Sequence, residues 1–385
     1  MSGPDAPYSP GLEGVIATAT SISYLDVDHE QIVVRGYDLI ELARRLDYPR
    51  VAYLVIYGHL PSADELAAFE QALRDQAEPP EAVLRMLELM PRTAEVMDAQ
   101  RTAISALASF EAPDELRDTT PESNVRKGVR LLARMPAITA NAYRILRGLP
   151  TLRPDPALGF AERFLQMITG RRPDPQAARI FDLTLTCYVE HEMPNSTFAA
   201  RVIASTLSDL YGAVAGAAAS LKGPLHGGAN EAVARMLLDI LERGGASIAE
   251  AYVMERLARK ERIMGFGHRV YMRRYDPRAY LLKDAIPELA DRRPEGPELY
   301  RIYQIVEQVM LREKGLYPNT DYPVGLIYYL LDIPIELDTP IFLAARTPGL
   351  VAHVIEQHAN NRIFRPRVLY QGPRGLRPPE GASPA

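Results

Sequence analysis

The chain has 385 residues, of which 24% are charged, and its formal net charge is −5. This slight acidity offers no basic footprint for nucleic acid, and there is no run of about 18 apolar residues to span a membrane. The single cysteine, Cys187, excludes an intrachain disulfide framework, and no signal or transit segment is recognisable, so we expect a cytoplasmic protein.

Two short β-type runs open the chain, at residues 14–21 and 31–35. The polar stretch DVDHE at 26–30 predicts a hairpin turn between them. From there the pattern is helical almost throughout. The sequence PSADEL at 61–66 predicts a helix start, with Ser62 as the cap and acidic side chains in the first turn.

The most regular apolar pattern begins after PNS at 194–196 and predicts one long helix that ends at Gly223 and Pro224. Its apolar residues recur at steps of three and four: Phe198, Val202, Ile203, Leu207, Leu210, Tyr211 and Val214. Most of the other positions are alanine or glycine, which let a second helix approach closely. We therefore interpret this segment as a central packing helix or a dimer helix.

The remainder of the chain continues the helical pattern. Further helices are predicted at about 229–243, 248–260, 297–313, 323–332 and 340–358. The polar stretch at 291–296 predicts a loop between two of them. Cys187 lies in an apolar run and is interpreted as a small core residue. Residues 373–385 hold four prolines and two glycines, which predicts a flexible tail.

Three polar loops stand where helices start or stop. They carry the sequences GPLHGGANE (223–231), MGFGHRVY (264–271) and YPNTDYP (317–323). The glycines after His226 let a ligand approach the backbone, and the free N–H groups of a helix start favour an anion or an oxyanion. The same helix start disfavours the imidazolium form, so His226 can stay neutral and donate a hydrogen bond. The second loop carries His268, and the third places Asp321 in a turn.

Each of these residues also has an ordinary structural explanation. A lone histidine is usually a structural hydrogen-bonder, an aspartate before a helix is usually a cap, and Gly-Phe-Gly lacks the strand that a dinucleotide fingerprint needs. No metal site is indicated, because His353 and His358 are five residues apart and point about 140° apart on a helix. Neither a Gly-x-Ser-x-Gly elbow nor a Walker phosphate loop occurs. Only the combination of the three loops indicates a function.

That combination, with 42 residues from His226 to His268 and 53 from His268 to Asp321, resembles the citrate synthase family. The resemblance extends from GLEGV at 11–15 to RPR at 365–367. It implies an all-α fold with a short N-terminal β-hairpin, and a homodimer. It also implies an active-site cleft between a large helical domain, residues 1–225 and 331–372, and an inserted small domain, residues 226–330.

The resemblance implies that His226, His268 and Asp321 form the catalytic trio. A thioester methyl group is a weak carbon acid, so removing its proton needs a base together with stabilisation of the enolate oxygen. Asp321 would take the proton, and neutral His226 would hydrogen-bond the thioester oxygen. His268 would polarise the oxaloacetate ketone and protonate the new alkoxide.

Oxaloacetate carries two carboxylates, which arginine binds bidentately. Carried over by motif, the substrate-binding residues are His191, Arg278, Arg346 and Arg365. The resemblance implies that Arg365 reaches in from the other subunit, so that each active site is shared. It also implies that Gly265, Phe266 and Gly267 contact coenzyme A.

The sequence departs from the family pattern beside these residues. VEHE at 189–192 stands where ADHE is common, and PNST at 194–197 stands where NAST is common. After the aspartate, YPV at 322–324 replaces Phe-Tyr-Ser. The last change borders the proposed base, and it leaves the choice of acyl substrate open.

The resemblance predicts a citrate synthase that converts acetyl-CoA, oxaloacetate and water into citrate and coenzyme A, with no metal or further cofactor. A 2-methylcitrate synthase that uses propionyl-CoA is the alternative, because one methylene is worth only about 1–3 kcal/mol in an apolar pocket. A third hypothesis is a non-catalytic helical dimer that senses coenzyme A or citrate. The trio argues against it, since a sensor does not need a base at Asp321.

Overall fold

The computed structural model describes residues 8–267 and 275–377. A small antiparallel sheet stands near the N-terminus, with strands β1 (Ser23–Asp26), β2 (Gln31–Val34) and β3 (Tyr37–Asp38) in that order. Ser23 is opposite Val34 and Asp26 is opposite Gln31, so the turn falls where the sequence predicts it.

The predicted strand at 14–21 is wrong. Residues 15–20 have no regular secondary structure, and the first strand begins only at Ser23. Ile16 is 92% exposed, whereas Ile22 and Leu25 are buried. An apolar run pairs as a strand only where a neighbouring strand and a buried face receive it, and residues 14–21 have neither.

Nine α-helices lie between residues 39 and 188 of the described part of the chain. They are α1 (Leu39–Arg45), α2 (Tyr48–Tyr57), α3 (Ala63–Asp75), α4 (Glu81–Glu88), α5 (Val96–Leu107), α6 (Pro113–Arg117), α7 (Pro121–Leu146), α8 (Phe160–Thr169) and α9 (Pro175–Tyr188). Ser62 caps α3 as predicted: its side chain accepts from the Glu65 backbone N–H, and the Glu65 carboxylate accepts from the Ser62 N–H. This reciprocal pair satisfies two donors that a helix start otherwise leaves free.

The described residues form nine further α-helices. They are α10 (Asn195–Ala204), α11 (Leu210–Leu221), α12 (Ala229–Arg243), α13 (Ala246–Ala258), α14 (Pro277–Lys283), α15 (Ile286–Ala290), α16 (Gly296–Lys314), α17 (Asp321–Leu330) and α18 (Asp338–Ala359). Short α14 and α15 were not predicted. The polar loop predicted at 291–296 lies between α15 and α16.

The long helix predicted after residue 196 is two helices, α10 and α11. The chain breaks at Leu207, whose φ of +63° lies in the left-handed region. Asp209 then caps α11 by accepting from the Gly212 N–H at 2.9 Å. The small residues allow the two helices to fold back on each other, and a methyl group added at Gly216 would overlap Ile203. The predicted close approach of helices is therefore found within one chain.

Helix α18 forms the centre of the helical core. It packs against α7, α10, α2, α11 and α9, and most of its residues are buried. A helix that is apolar on all sides is stable in water only when other helices bury it on all sides. Helices α12 to α17 pack mainly on one another, and α12 also contacts α18. Residues 360–377 form no regular secondary structure, and residues 378–385 of the predicted tail lie outside the described part of the chain.

Candidate active site

Three segments of the chain meet at the C-terminal end of α9. Tyr188, its last residue, is buried, and its hydroxyl donates to Oδ1 of Asp321 at 2.8 Å. Nε of Arg346 donates to the carbonyl oxygen of Tyr188 at 2.6 Å. The last carbonyls of a helix have no partner within the helix, so they are free to accept such a donor. The end of α9 thus holds the start of α17 next to the middle of α18.

The loop before Asp321 pairs with the glycine loop at 265–267. Phe266 and Pro318 form an antiparallel bridge. The Asn319 backbone N–H donates to the Gly265 carbonyl at 2.9 Å, and its side chain donates to the Gly267 carbonyl at 3.0 Å. These contacts fix the position of the second loop relative to the third.

Asp276 ties Arg278 to the same loop. Nε and Nη2 of Arg278 donate to the two carboxylate oxygens of Asp276 at 3.1 and 2.8 Å. The Thr320 hydroxyl also donates to Asp276, at 2.8 Å. Asp276 and Arg278 are both buried, and a buried ion pair is tolerated only when hydrogen bonds satisfy its remaining atoms. The position of Arg278 is thereby set with respect to Asp321.

His226 lies in the turn before α12, and its ring is partly buried. Nε2 accepts from the Ser196 backbone N–H at 3.2 Å and lies 2.9 Å from the Ser196 hydroxyl. Because a backbone N–H can only donate, Nε2 is unprotonated, and the proton of the neutral ring is on Nδ1. Burial and the positive charge of Arg346 lower the pKa of His226 to about 4. The lowered pKa favours the neutral form expected from the sequence, and burial is its main cause.

Arg346 is 2% exposed and stacks on the Phe342 ring, with 4.8 Å from the guanidinium carbon to the ring centroid. Burial lowers its pKa to about 10, so the side chain is still cationic at neutral pH. Nη1 of Arg346 has no hydrogen-bond partner in the described part of the chain. Because an unpaired buried donor is costly, this atom is suited to receive an anionic ligand.

Asp321 experiences opposing influences. Burial raises its pKa above the ordinary aspartate value, and the negative charge of Asp276 acts in the same direction. The hydrogen bond from Tyr188 and the charges of Arg278 and Arg346 act in the opposite direction. A carboxylate in this setting is a stronger base than an exposed one, while the cations keep its charged form accessible.

His191 is buried and follows Glu190 at the start of the segment that leads to α10. Glu190 is fully buried, and its Oε1 accepts from the Ser23 hydroxyl at 2.9 Å and from Nε2 of His353 at 3.1 Å. Nε of Arg201 donates to Nδ1 of His353 at 2.9 Å. His353, which the spacing argument excluded as a metal ligand, is thus part of a buried network that supports the backbone beside His191.

The structure brings together most of the predicted site residues. His226, Asp321, Arg278 and Arg346 are electrostatic neighbours around the end of α9. Arg365 is exposed in the segment that follows α18 and makes no hydrogen bond or ion pair with the described residues of its own chain. His268 lies outside the described residues.

Sequence reasoning did not assign roles to Tyr188, Ser196 or Asp276. Ser196 lies within the quoted PNST motif at the start of α10, and Asp276 is the cap of α14. For Tyr188 the only signal is its position as the last helical residue before His191.

No cluster of three or more His, Cys, Asp or Glu side chains that could hold a metal occurs in residues 8–267 and 275–377. Within the same ranges, none of the helices combines the length and the apolar character needed to cross a bilayer.

The chain is similar in sequence to known proteins over nearly its whole length. The family model for the citrate synthase C-terminal domain matches residues 11–367. The citrate/2-methylcitrate synthase of Bacillus subtilis (strain 168) is 51% identical over 367 residues, covering 95% of this chain and 97% of the relative. The citrate synthase of Heyndrickxia coagulans is 48% identical over 374 residues, covering 96% and 98%.

Solved structures share the architecture. The crystal structure of citrate synthase from Pyrobaculum aerophilum aligns with a TM-score of 0.89 and 39% identity, covering 98% of this chain and 95% of that one. A ternary complex of Thermoplasma acidophilum citrate synthase with carboxymethyl coenzyme A and oxaloacetate aligns with a TM-score of 0.90 and 32% identity, covering 96% and 98%.

Proposed function

Because the chain belongs to the citrate synthase family, we propose that it performs the family's condensation with Asp321, His226 and His268 as its catalytic residues. The protein is an acyltransferase of this family, which converts acetyl-CoA, oxaloacetate and water into citrate and free coenzyme A. One observation carries the assignment of residues: a buried carboxylate, a neutral histidine and two buried arginines converge at the end of α9.

The first step is proton transfer from the methyl group of acetyl-CoA to the Asp321 carboxylate. The electron pair of the broken C–H bond forms a carbon–carbon double bond, and the thioester oxygen gains negative charge. His226 donates a hydrogen bond to that oxygen, and its low pKa supports this role because the ring is neutral over the physiological range.

The second step joins the two carbon skeletons. The enolate carbon attacks the ketone carbon of oxaloacetate, and the ketone oxygen takes up a proton from His268. Water then cleaves the thioester bond, which releases coenzyme A. The role of His268 comes from the GFGHRVY motif, since that residue lies outside the described ranges.

The carboxylates of oxaloacetate are bound by His191, Arg278, Arg346 and Arg365 in this proposal. The unpaired Nη1 of buried Arg346 supports it, since a substrate carboxylate would satisfy that donor. Arg278 is already held by Asp276 through Nε and Nη2. The buried position of this cation beside Asp321 supports Arg278 as a residue that holds a substrate carboxylate at the site.

The acyl-CoA side of the site is assigned to the small domain, residues 226–330, with Gly265, Phe266 and Gly267 as coenzyme A contacts. The Phe266 ring lies 4.4 Å from the Tyr322 ring, centroid to centroid, directly beside Asp321. Both glycines have left-handed φ values, +84° and +75°; an added Cβ at Gly265 would overlap Val233, whereas the space beside Gly267 is more open and supports the approach of a ligand there.

A homodimer with shared sites completes the proposal. Arg365 lies in a segment with several exposed apolar side chains: Ile363, Val368, Leu369 and Tyr370. Phe364 packs against Phe198 of its own chain, whereas the exposed apolar side chains are suited to lie on a second copy. This supports Arg365 as a residue supplied to the partner's site.

The free, buried Cys187 fits a reducing compartment, and a cytoplasmic location remains part of the proposal.

Propionyl-CoA is the second candidate acyl donor, because the Bacillus subtilis relative is named citrate/2-methylcitrate synthase. A thiol-release assay with acetyl-CoA and propionyl-CoA at matched concentrations tests both. We expect oxaloacetate-dependent release of coenzyme A, with the higher kcat/KM for acetyl-CoA. A higher value for propionyl-CoA would assign the protein as a 2-methylcitrate synthase, and no release with either would favour the sensor. The rate should not change in EDTA.

A further inference from the structure

Tyr188 touches two parts of the site that handle different substrates. Its hydroxyl donates to Asp321 at 2.8 Å, and its carbonyl accepts from Arg346 at 2.6 Å. Its ring meets the Phe342 ring edge-on, with centroids 4.5 Å apart, and Phe342 also lies under the Arg346 guanidinium. In the described part of the chain, no other residue forms hydrogen bonds with both Asp321 and Arg346.

The two contacts come from different chemical groups of the same residue. The carbonyl belongs to the main chain at the C-terminus of α9, where the helix dipole favours a cation such as Arg346. The hydroxyl belongs to the side chain and can be removed by substitution without touching the carbonyl. The two functions can therefore be separated experimentally.

The hydroxyl of Tyr188 is a constant donor. Complete burial and the nearby Asp321 charge raise the pKa of Tyr188 well above its ordinary value, so it stays protonated. A donor that stays protonated always favours the ionised form of the carboxylate that accepts from it. It also restricts rotation of that carboxylate, because Oδ1 is fixed in one direction.

We propose that Tyr188 is a positioning residue for the reaction: its hydroxyl holds the Asp321 carboxylate charged and oriented toward the acyl-CoA methyl group, while its carbonyl holds Arg346 for oxaloacetate. This inference rests on the proposed function, since it requires Asp321 to be the base.

Other groups also face Asp321. The charged or titratable neighbours besides Tyr188 are Arg278 and Asp276 from α14 and its cap, Arg346 and Asp338 from α18, and Tyr328 from α17 itself. The arginines favour the charged carboxylate, and the negative charge of Asp276 opposes it. Tyr188 alone among them donates a hydrogen bond to the carboxylate, so its removal gives a distinct signature.

Tyr188→Phe keeps the ring and the main-chain carbonyl and removes only the hydroxyl. We expect the acid limb of the kcat/KM profile for acetyl-CoA to move upward by about one pH unit, the size expected for one hydrogen bond to a charged group. At the lower end of the profile the rate should fall about tenfold more than at alkaline pH, where only the loss of carboxylate orientation remains. Oxaloacetate affinity, measured by calorimetry, should change less than twofold and also reports correct folding.

Tyr328→Phe is the matched control. Tyr328 is fully buried and lies on the same helix as Asp321, but its hydroxyl does not bond the carboxylate. Its acid limb should coincide with that of the wild type. An unmoved acid limb in Tyr188→Phe, an equal loss at every pH, or an equal shift in Tyr328→Phe would overturn the proposal.

The Asp321→Asn variant distinguishes a failure of this inference from a failure of the proposed function on which it rests. If Asp321→Asn retains turnover, the proposed base is wrong whatever Tyr188→Phe does. If Asp321→Asn is inactive and the acid limb of Tyr188→Phe is unmoved, Asp321 stands as the base and only the role of Tyr188 fails.

Discussion

Burial favours the neutral form of two site residues, and it does so by moving their pKa values in opposite directions. It raises the pKa of Asp321 and lowers that of His226 to about 4. The histidine is therefore already a neutral donor, while the aspartate needs its neighbours to remain a carboxylate. Hydrogen bonding by Tyr188 and the charges of two arginines act in that direction. The roles of acid-type donor and base follow from these environments rather than from residue type alone.

At the scale of single residues, Asp321 and Arg346 should fail in different ways. Asp321→Asn should lower turnover by about 10²–10⁴-fold, because general base catalysis is lost, and should leave oxaloacetate affinity nearly intact. Arg346→Ala should weaken oxaloacetate binding by about 2 kcal/mol or more, roughly 30-fold, because a carboxylate is left unpaired. Calorimetric titration and steady-state kinetics on both variants measure the difference.

Asp338→Asn is a suitable control for these variants. Asp338 is another buried aspartate, and neither of its carboxylate oxygens has a hydrogen-bond partner in the described part of the chain; burial raises its pKa well above the ordinary value. It should retain turnover. The assignment is wrong if Asp321→Asn loses oxaloacetate binding or if Arg346→Ala keeps it.

The sequence was enough to single out the three loops as candidate site segments, but it did not predict which residues their side chains would contact. Tyr188 and Asp321 are 133 positions apart, and no periodicity relates positions that only the tertiary fold brings together. Ser196 and His226 are 30 positions apart, in different helical segments. Long-range hydrogen bonds of this kind depend on how α9, α10, α17 and α18 pack.

At the scale of elements, helix bounds followed from local chemistry wherever strong stop signals exist. Helix α12 begins after Gly228 and ends before Gly244, which agrees with the predicted 229–243. The break between α10 and α11 was missed because the apolar spacing continues through it. Leu207 continues that spacing but is 56% exposed, so the pattern there does not report a buried face. The cap at Asp209 was the available signal.

The turn that presents His226 offers a paired test. An added Cβ at Gly227 would lie 2.4 Å from the Leu221 carbonyl oxygen, whereas one at Gly228 would meet nothing within 4 Å. Gly227→Ala should therefore cost about 1–3 kcal/mol of unfolding free energy and should reduce turnover by displacing His226. Gly228→Ala should stay within about 0.5 kcal/mol of the wild type. Urea unfolding midpoints for the two variants decide the matter, and equal midpoints would refute the packing argument.

At the scale of the whole molecule, the candidate site draws on two groups of helices. His191 and Arg346 belong to the segments assigned to the large domain, and Arg278 and Asp321 to the small one. The second and third loops are joined by the Phe266–Pro318 bridge and by Asn319, so they should move together. Domain closure would then change mainly the distance between the two groups.

If the carboxylates of oxaloacetate bind residues of both groups as proposed, oxaloacetate alone should close the cleft. Small-angle scattering at saturating oxaloacetate should show a smaller radius of gyration than the unliganded protein. Arg346→Ala, at the same concentration, should keep the open profile. An unchanged profile of the wild-type protein would count against closure.

Sharing of the site between subunits is tested with hybrid dimers. Homodimers of His226→Ala and of Arg365→Ala should each be nearly inactive. Unfolding and refolding them together gives hybrids in half of the dimers, and each hybrid has one wholly wild-type site. The mixture should recover roughly a quarter of wild-type activity. Mixtures that stay as inactive as their parents, with hybrids confirmed, would place Arg365 in its own subunit's site.

The exposed apolar segment that carries Arg365 affects how the reaction rate depends on protein concentration. If each site borrows an arginine from a second chain, a lone subunit is incomplete, however well it is folded. Well above the dissociation constant of the dimer, the rate should rise in proportion to protein concentration. Below that constant almost all chains are single, and the rate should rise with the square of the concentration. Dilution would then act as an inhibitor, and binding of oxaloacetate to the complete site would favour reassociation of the two chains.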